Sequence, residues 1–207
     1  MQFAAKLISY IFHPVFMPLF GCWLIFQEDT EVTYVFSDER RQQGILMLLG
    51  VLALAPIICV LVLYMFRSIT DLEMSRPEER LVPLITTLIF YVLVYYLLEQ
   101  ARSALHPVIL SSLSGAMVTI AIGTLLTWWY KVSLHAAGIW GIVGMLLALS
   151  EVVFYDNAEV VAAVMVGAGL VGTSRVIVGT HTVPQVLAGA ILGFTVEYLF
   201  VRYELIF

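Results

Sequence analysis

Seven apolar stretches alternate with short polar connections along this 207-residue chain. About 20 apolar residues suffice for a helix to cross a bilayer, and most of the stretches reach that length. Leu7–Phe26 is the first, and it contains His13-Pro14 and Pro18, so a kink or a partly re-entrant path is expected. After the polar connection Gln27–Gln43 comes Gly44–Phe66, interrupted only by Pro56. Arg67–Arg80 is the most highly charged stretch. Leu81–Leu98 follows, with Tyr91, Tyr95 and Tyr96 towards its end, and then Leu105–Tyr130, which finishes on Trp128, Trp129 and Tyr130. Such aromatic ends suit a membrane–water interface. The fifth segment, Val132–Ser150, carries Gly138, Gly141 and Gly144 on a stripe that lets helices approach closely. Val160–Thr173 is short for a span, so its helix is expected to run on towards Gly179 and to carry Arg175 with it. Thr182–Phe200 closes the series, with Gly189 and Gly193 as a small-xxx-small pair. The pattern predicts an all-α membrane bundle of six to seven transmembrane segments forming one domain over residues 1–207, six if the first segment is re-entrant.

Composition strengthens this reading. The chain is 61% hydrophobic and 12% charged, with mean hydropathy +0.98. Soluble domains are usually near 45–50% apolar and about 25% charged, so the excess must face lipid. The net charge of −5 points to no nucleic-acid partner. Cys22 and Cys59 lie inside apolar runs and read as buried or lipid-facing thiols. Lys6 ahead of an apolar stretch is leader-like, but Pro14, Pro18 and the lack of a small-x-small cleavage pattern argue against a removed leader, and the stretch reads as the first membrane segment.

Alternation of seven segments has a consequence for the polar residues. It puts the N-terminus, Arg67–Arg80, Lys131–His135 and Ser174–Pro184 on one side of the membrane, and so gathers most basic residues with His135 and His181. Arg175 is the most informative of these. A guanidinium stays charged, and inside an apolar run it costs several kcal/mol unless it meets an anion or water. His181 follows six residues later, and Thr180 or Thr182 with Pro184 reads as the start of a helix. An arginine, a histidine and a helix N-terminus together suit a phosphate-like anion. His13 and His106 each precede a proline and read first as turn or kink residues; of the two, His13 falls on the site side, where it is placed to touch substrate. No Cys/His cluster or HExxH spacing suggests a metal, and no cofactor is expected.

The spacing Ser174-Arg175-x5-His181-x3-Gln185-Val186-x2-Gly189 resembles the third signature, S-R-x5-H-x3-D, of the type 2 phosphatidic acid phosphatase superfamily, which includes the vanadium haloperoxidases. Gln185 stands where that family has aspartate. Ser133-Leu134-His135 resembles the second signature, P-S-G-H, with Val132 and Leu134 replacing the proline and glycine. Arg76-Pro77 resembles the end of the first, K-x6-R-P, with Ile69 at the lysine position. The resemblance covers about Arg76 to Gly193, within a signature-bearing part of about 67–193.

The resemblance implies metal-independent hydrolysis of a lipid phosphomonoester or pyrophosphate through a phosphohistidine. Phosphatidic acid, phosphatidylglycerol phosphate and polyprenyl pyrophosphate are the expected substrates. By position, His181 attacks phosphorus and His135 protonates the leaving oxygen. Arg76 and Arg175 hold the phosphoryl oxygens, Ser133 donates a hydrogen bond, and Arg80, Lys131 or Arg67 supplies the charge missing at Ile69. Gln185 would orient His181 through its carbonyl, unless Glu151, Glu197 or Glu79 substitutes. A relative that binds or transports a lipid phosphate without hydrolysing it is the competing reading, favoured by Gln185 and Ile69. A purely structural membrane protein leaves Arg175 unexplained.

A bacterial inner membrane is the expected location. Basic residues near segment ends first favour a cytoplasmic site face: Lys6, Arg67, Arg76, Arg80, Lys131 and Arg175 against Arg40, Arg41, Arg102 and Arg202. Setting aside Arg76, Arg80, Lys131 and Arg175, which serve chemistry, reverses the balance to two against four and turns the site to the non-cytoplasmic side.

Overall fold

The computed structural model describes residues 1–27, 32, 39–69, 77–100, 106–126, 128–154 and 156–207. All regular structure among them is helical: α1 (Gln2–Ile11), a 3-10 turn (Pro14–Phe16), α2 (Met17–Gln27), α3 (Glu39–Met65), α4 (Pro77–Glu99), α5 (Pro107–Leu126), α6 (Leu134–Val152), α7 (Ala158–Ile177) and α8 (Val183–Arg202). With α1 and α2 taken as one broken segment, 7 spans are long and apolar enough to cross a membrane. This is an integral membrane protein by architecture. Leucines, isoleucines and valines such as Leu54, Ile58, Ile85, Ile89, Val166 and Ile191 point outward, as a lipid-facing surface requires.

The first span breaks where its prolines predict. Pro14 has no N–H to donate and disfavours helical geometry in the residue before it. His13 is accordingly extended, with φ −67° and ψ 135°, and its Nδ1 accepts the Val15 N–H at 3.4 Å. His106-Pro107-Val108 repeats the device at the start of α5, where His106 Nδ1 accepts the Val108 N–H at 3.3 Å. The fourth span is shorter than its apolar run, because α5 ends at Leu126 and Trp128–Tyr130 belong to the connection into α6.

α6 and α8 form the closest pair in the bundle. A Cβ at Gly189 would collide with the Ser133 carbonyl, one at Gly193 with the Ala137 carbonyl, and one at Gly144 with the Phe194 carbonyl. Only glycine allows backbone to meet backbone at these crossings. The Gly138, Gly141 and Gly144 stripe therefore serves three neighbours. Gly144 admits the α8 backbone, Gly141 lies against the Glu197 side chain, and Gly138 lies against Met17 and Pro14. The last contact fixes the break in the first span over the start of α6.

The core that results is aliphatic, with Leu110, Val143, Leu146, Leu149 and Val171 fully buried between helices. α3 and α4 pack on each other at the edge of this core, and each carries an internal proline, Pro56 and Pro83. At the end of the bundle remote from Lys131 and His181, Glu151 pairs with Arg202 at 2.8 Å and accepts from the Tyr198 hydroxyl. Cys22 and Cys59 are both free thiols.

Candidate functional site

Local structure explains the Ser174–Gln185 spacing. α7 ends at Ile177, and Gly179 takes φ +79°, a left-handed conformation that glycine adopts without steric cost. The chain then turns back, so that the His181 N–H and the Thr180 hydroxyl both donate to the Arg175 carbonyl, at 3.3 and 3.2 Å. Five intervening residues are what one terminal turn and this return require. Thr182, of the two threonines considered, is the N-cap of α8.

Gln185 occupies the third position of α8 and completes a capping box: its Oε1 accepts the Thr182 N–H at 3.1 Å, while the Thr182 side chain takes the Gln185 N–H. The orienting role expected of Gln185 is filled by another group. His181 Nδ1 lies 3.2 Å from the Lys131 carbonyl. A carbonyl only accepts, so Nδ1 carries the proton and Nε2 keeps the lone pair. The backbone makes this contact possible, since Ser133 N–H donates to the Gln185 carbonyl at 3.2 Å and aligns the Lys131–Ser133 segment beside the start of α8. Two of the other acids proposed to orient His181 are engaged elsewhere: Glu151 belongs to the opposite end and Glu197 bonds Ser112.

Ser133 also departs from its expected role. It is fully buried, and its Oγ caps α6 by accepting the Ala136 N–H at 3.4 Å. It therefore positions the helix that carries His135 and does not line the cavity. Arg76 lies outside the described residues. Ile69 is buried.

The remaining assigned residues meet in one place. A cavity of about 660 Å³ is lined by Arg80, Lys131, His135, Arg175 and His181, together with His13. Ligand pockets usually hold about 300–1,000 Å³, so this one has the size of a small-molecule site. Burial first, and then the charges of Arg175, Lys131 and Arg80, hold the His181 imidazole down to about 4 despite the opposing bond to the Lys131 carbonyl. At neutral pH His181 is therefore an uncharged ring with a free Nε2 lone pair.

Away from this end the walls become apolar, with Leu49, Ile57, Val60, Leu84, Ile109 and Leu113. Glu197 is the one acidic residue among the described lining residues and sits far from the helix start that holds His181. Its Oε2 accepts from Ser112 at 3.3 Å, and its side chain fits against Gly115 and Gly141.

No family model, curated protein or solved structure matches the chain.

Two contributors come from the first span, outside the signature-bearing part. His135 Nε2 lies 3.2 Å from the Ser9 carbonyl, which makes Nδ1 its proton-accepting atom. Ser174 donates to the Val171 carbonyl at 2.7 Å, so the 3.1 Å contact between the Ser9 and Ser174 hydroxyls is donated by Ser9. α1 is thus tied to α7 and to His135 together. The backbone acceptor at Ser9 has no sequence signal. The proximity of His13 to the site was signalled by the alternation of spans.

Proposed function

We propose that this protein is a metal-independent phosphatase of membrane lipid phosphates, acting through a phosphohistidine on His181. The observation that carries the reading is the composition of one cavity end, where three imidazoles, His13, His135 and His181, line the same space as Arg80, Lys131 and Arg175. Phosphoryl transfer spreads negative charge over three equatorial oxygens, and positioned cations and donors stabilise it. The apolar walls beyond suit the chain of a lipid. The resemblance of the Ser174–Gly189 spacing to the phosphatase signature supports the same chemistry.

In this reading a lipid phosphomonoester enters with its phosphoryl group among Arg175, Arg80 and Lys131. Nε2 of His181 attacks phosphorus in line with the leaving oxygen. The P–N bond forms as the P–O bond breaks, and the departing alkoxide takes a proton from His135. His135 must hold that proton on Nδ1, because its Nε2–H is directed to Ser9; the incoming phosphate dianion favours this second proton. Water then attacks the phosphohistidine, returns a proton to His135 and releases inorganic phosphate. The site faces the non-cytoplasmic side, on the balance of basic residues left once the site's own cations are set aside.

Phosphate release by the purified protein tests the reading directly. Phosphatidic acid, phosphatidylglycerol phosphate and a polyprenyl pyrophosphate are offered with EDTA present. Release from at least one is expected, and its loss in His181→Ala. A panel that yields no phosphate overturns hydrolysis. One observation favours the binding-only alternative: His181 is oriented by a neutral carbonyl, which stabilises a cationic imidazole less than a carboxylate does. Retention of a lipid phosphate without release identifies that case.

A further inference from the structure

His13 occupies a position that its turn does not explain. His13-Pro14-Val15 and His106-Pro107-Val108 are built alike, each ring accepting the N–H two residues on. The second turn shows the same capping at the start of α5, where His106 is not among the residues that line the cavity. His13 differs in what surrounds it. Its ring lies 5.2 Å from that of His135, edge to face at 78°, and both line the cavity with Arg175 and His181. The placement is built in. Pro14 holds His13 extended, and Gly138 leaves room for Met17 and Pro14 to press against the start of α6, one turn from His135.

The hydrogen-bonding state of the ring follows from the same contacts. Nδ1 accepts the Val15 N–H, so a neutral His13 carries its proton on Nε2. No protein acceptor for that proton occurs among the described residues. A donor held at the edge of a cavity already lined by cations suits an oxygen of an anionic ligand.

We propose that His13 is a phosphate-binding residue, its Nε2–H donating to a phosphoryl oxygen of the lipid phosphate held by Arg175. The break in the first span thereby becomes part of the site. This inference rests on the proposed function above.

Two substitutions separate the binding role from the capping role. In His13→Asn the amide oxygen stands near the Nδ1 position and keeps the cap, while the donor at the ε position is lost. In His13→Gln the amide nitrogen stands near Nε2 and keeps the donor, while the cap is lost. Binding of a short-chain phosphatidic acid to the detergent-solubilised protein is measured for each, with the matching diacylglycerol as control. Wild type should prefer the phosphorylated lipid; the same affinity for both lipids sinks the proposed function and this inference with it. Given that preference, His13→Asn should bind about tenfold more weakly, the order expected for one hydrogen bond to a charged group, and His13→Gln should stay within about threefold of wild type. The reverse order, or wild-type affinity in His13→Asn, assigns His13 to the turn alone and overturns the inference. Thermal unfolding of each variant shows whether the bundle is intact.

Discussion

Replacing Gln185 with alanine separates two roles that the spacing alone leaves merged. The side chain accepts the Thr182 N–H and completes a capping box, and it makes no hydrogen bond to His181. Its backbone carbonyl, which holds Ser133, is untouched by the substitution. The stability lost should be that of a helix cap, about 0.5–2 kcal/mol. For a chain of this size each kcal/mol lowers Tm by about 2–4 °C. The rate of phosphate release at a temperature where both proteins are folded should stay within about threefold, because no contact specific to the transition state is removed. If Gln185 did orient the imidazole, the loss would be far larger, on the order of 10⁴ by analogy with an orienting group replaced in a hydrolase relay. Tm from scanning calorimetry and kcat from continuous phosphate detection give the two numbers on the same samples. A hundredfold fall in kcat with an unchanged Tm would refute the assignment of orientation to the Lys131 carbonyl.

Other outcomes follow from the same geometry. The His181 ring, observed by NMR in selectively labelled protein, should titrate near 4, so turnover supported by its neutral form is lost only as pH falls towards that value; a midpoint at 6.5 would show that neither burial nor the neighbouring cations act on it. Arg175→Ala should weaken binding of a lipid phosphate by about ten- to a hundredfold, as expected for charge-assisted bonds worth about 1.5–3 kcal/mol; unchanged affinity in a binding titration returns Arg175 to a structural role. Gly193→Ala forces a methyl group against the Ala137 carbonyl and should cost about 1–3 kcal/mol or more, seen as a lowered Tm with lost activity, whereas Gly167→Ala, where the added methyl meets nothing, should be silent.

Much of this architecture is readable in the sequence because lipid imposes it. Long apolar runs must become helices that satisfy their own backbone, so seven segments and a break at His13-Pro14 follow from residue type and length. The gathering of Arg80, Lys131, His135, Arg175 and His181 follows from counting crossings. The roles of Ser133 and Gln185 were not legible, because both turn on side-chain direction within a first helical turn, where capping competes with the site for the same polar atoms. The carbonyls of Lys131 and Ser9, which set the two tautomers, belong to the backbone and carry no residue signature at all.

The contact of α6 with α8 through carbonyls and bare α-carbons has a mechanical consequence. Neither helix has a side-chain cushion at Gly144, Gly189 or Gly193 to compress or re-rotamerise, so the pair behaves as a single stiff beam. His135 is fixed at one end of that beam, and His181 is clipped to it through Lys131. Under the proposed function, room for a lipid then has to come from other walls of the cavity, which include Pro56 of α3 and Pro83 of α4. In that reading the α6–α8 pair is the fixed jaw of a vice, which keeps His135 and His181 in register.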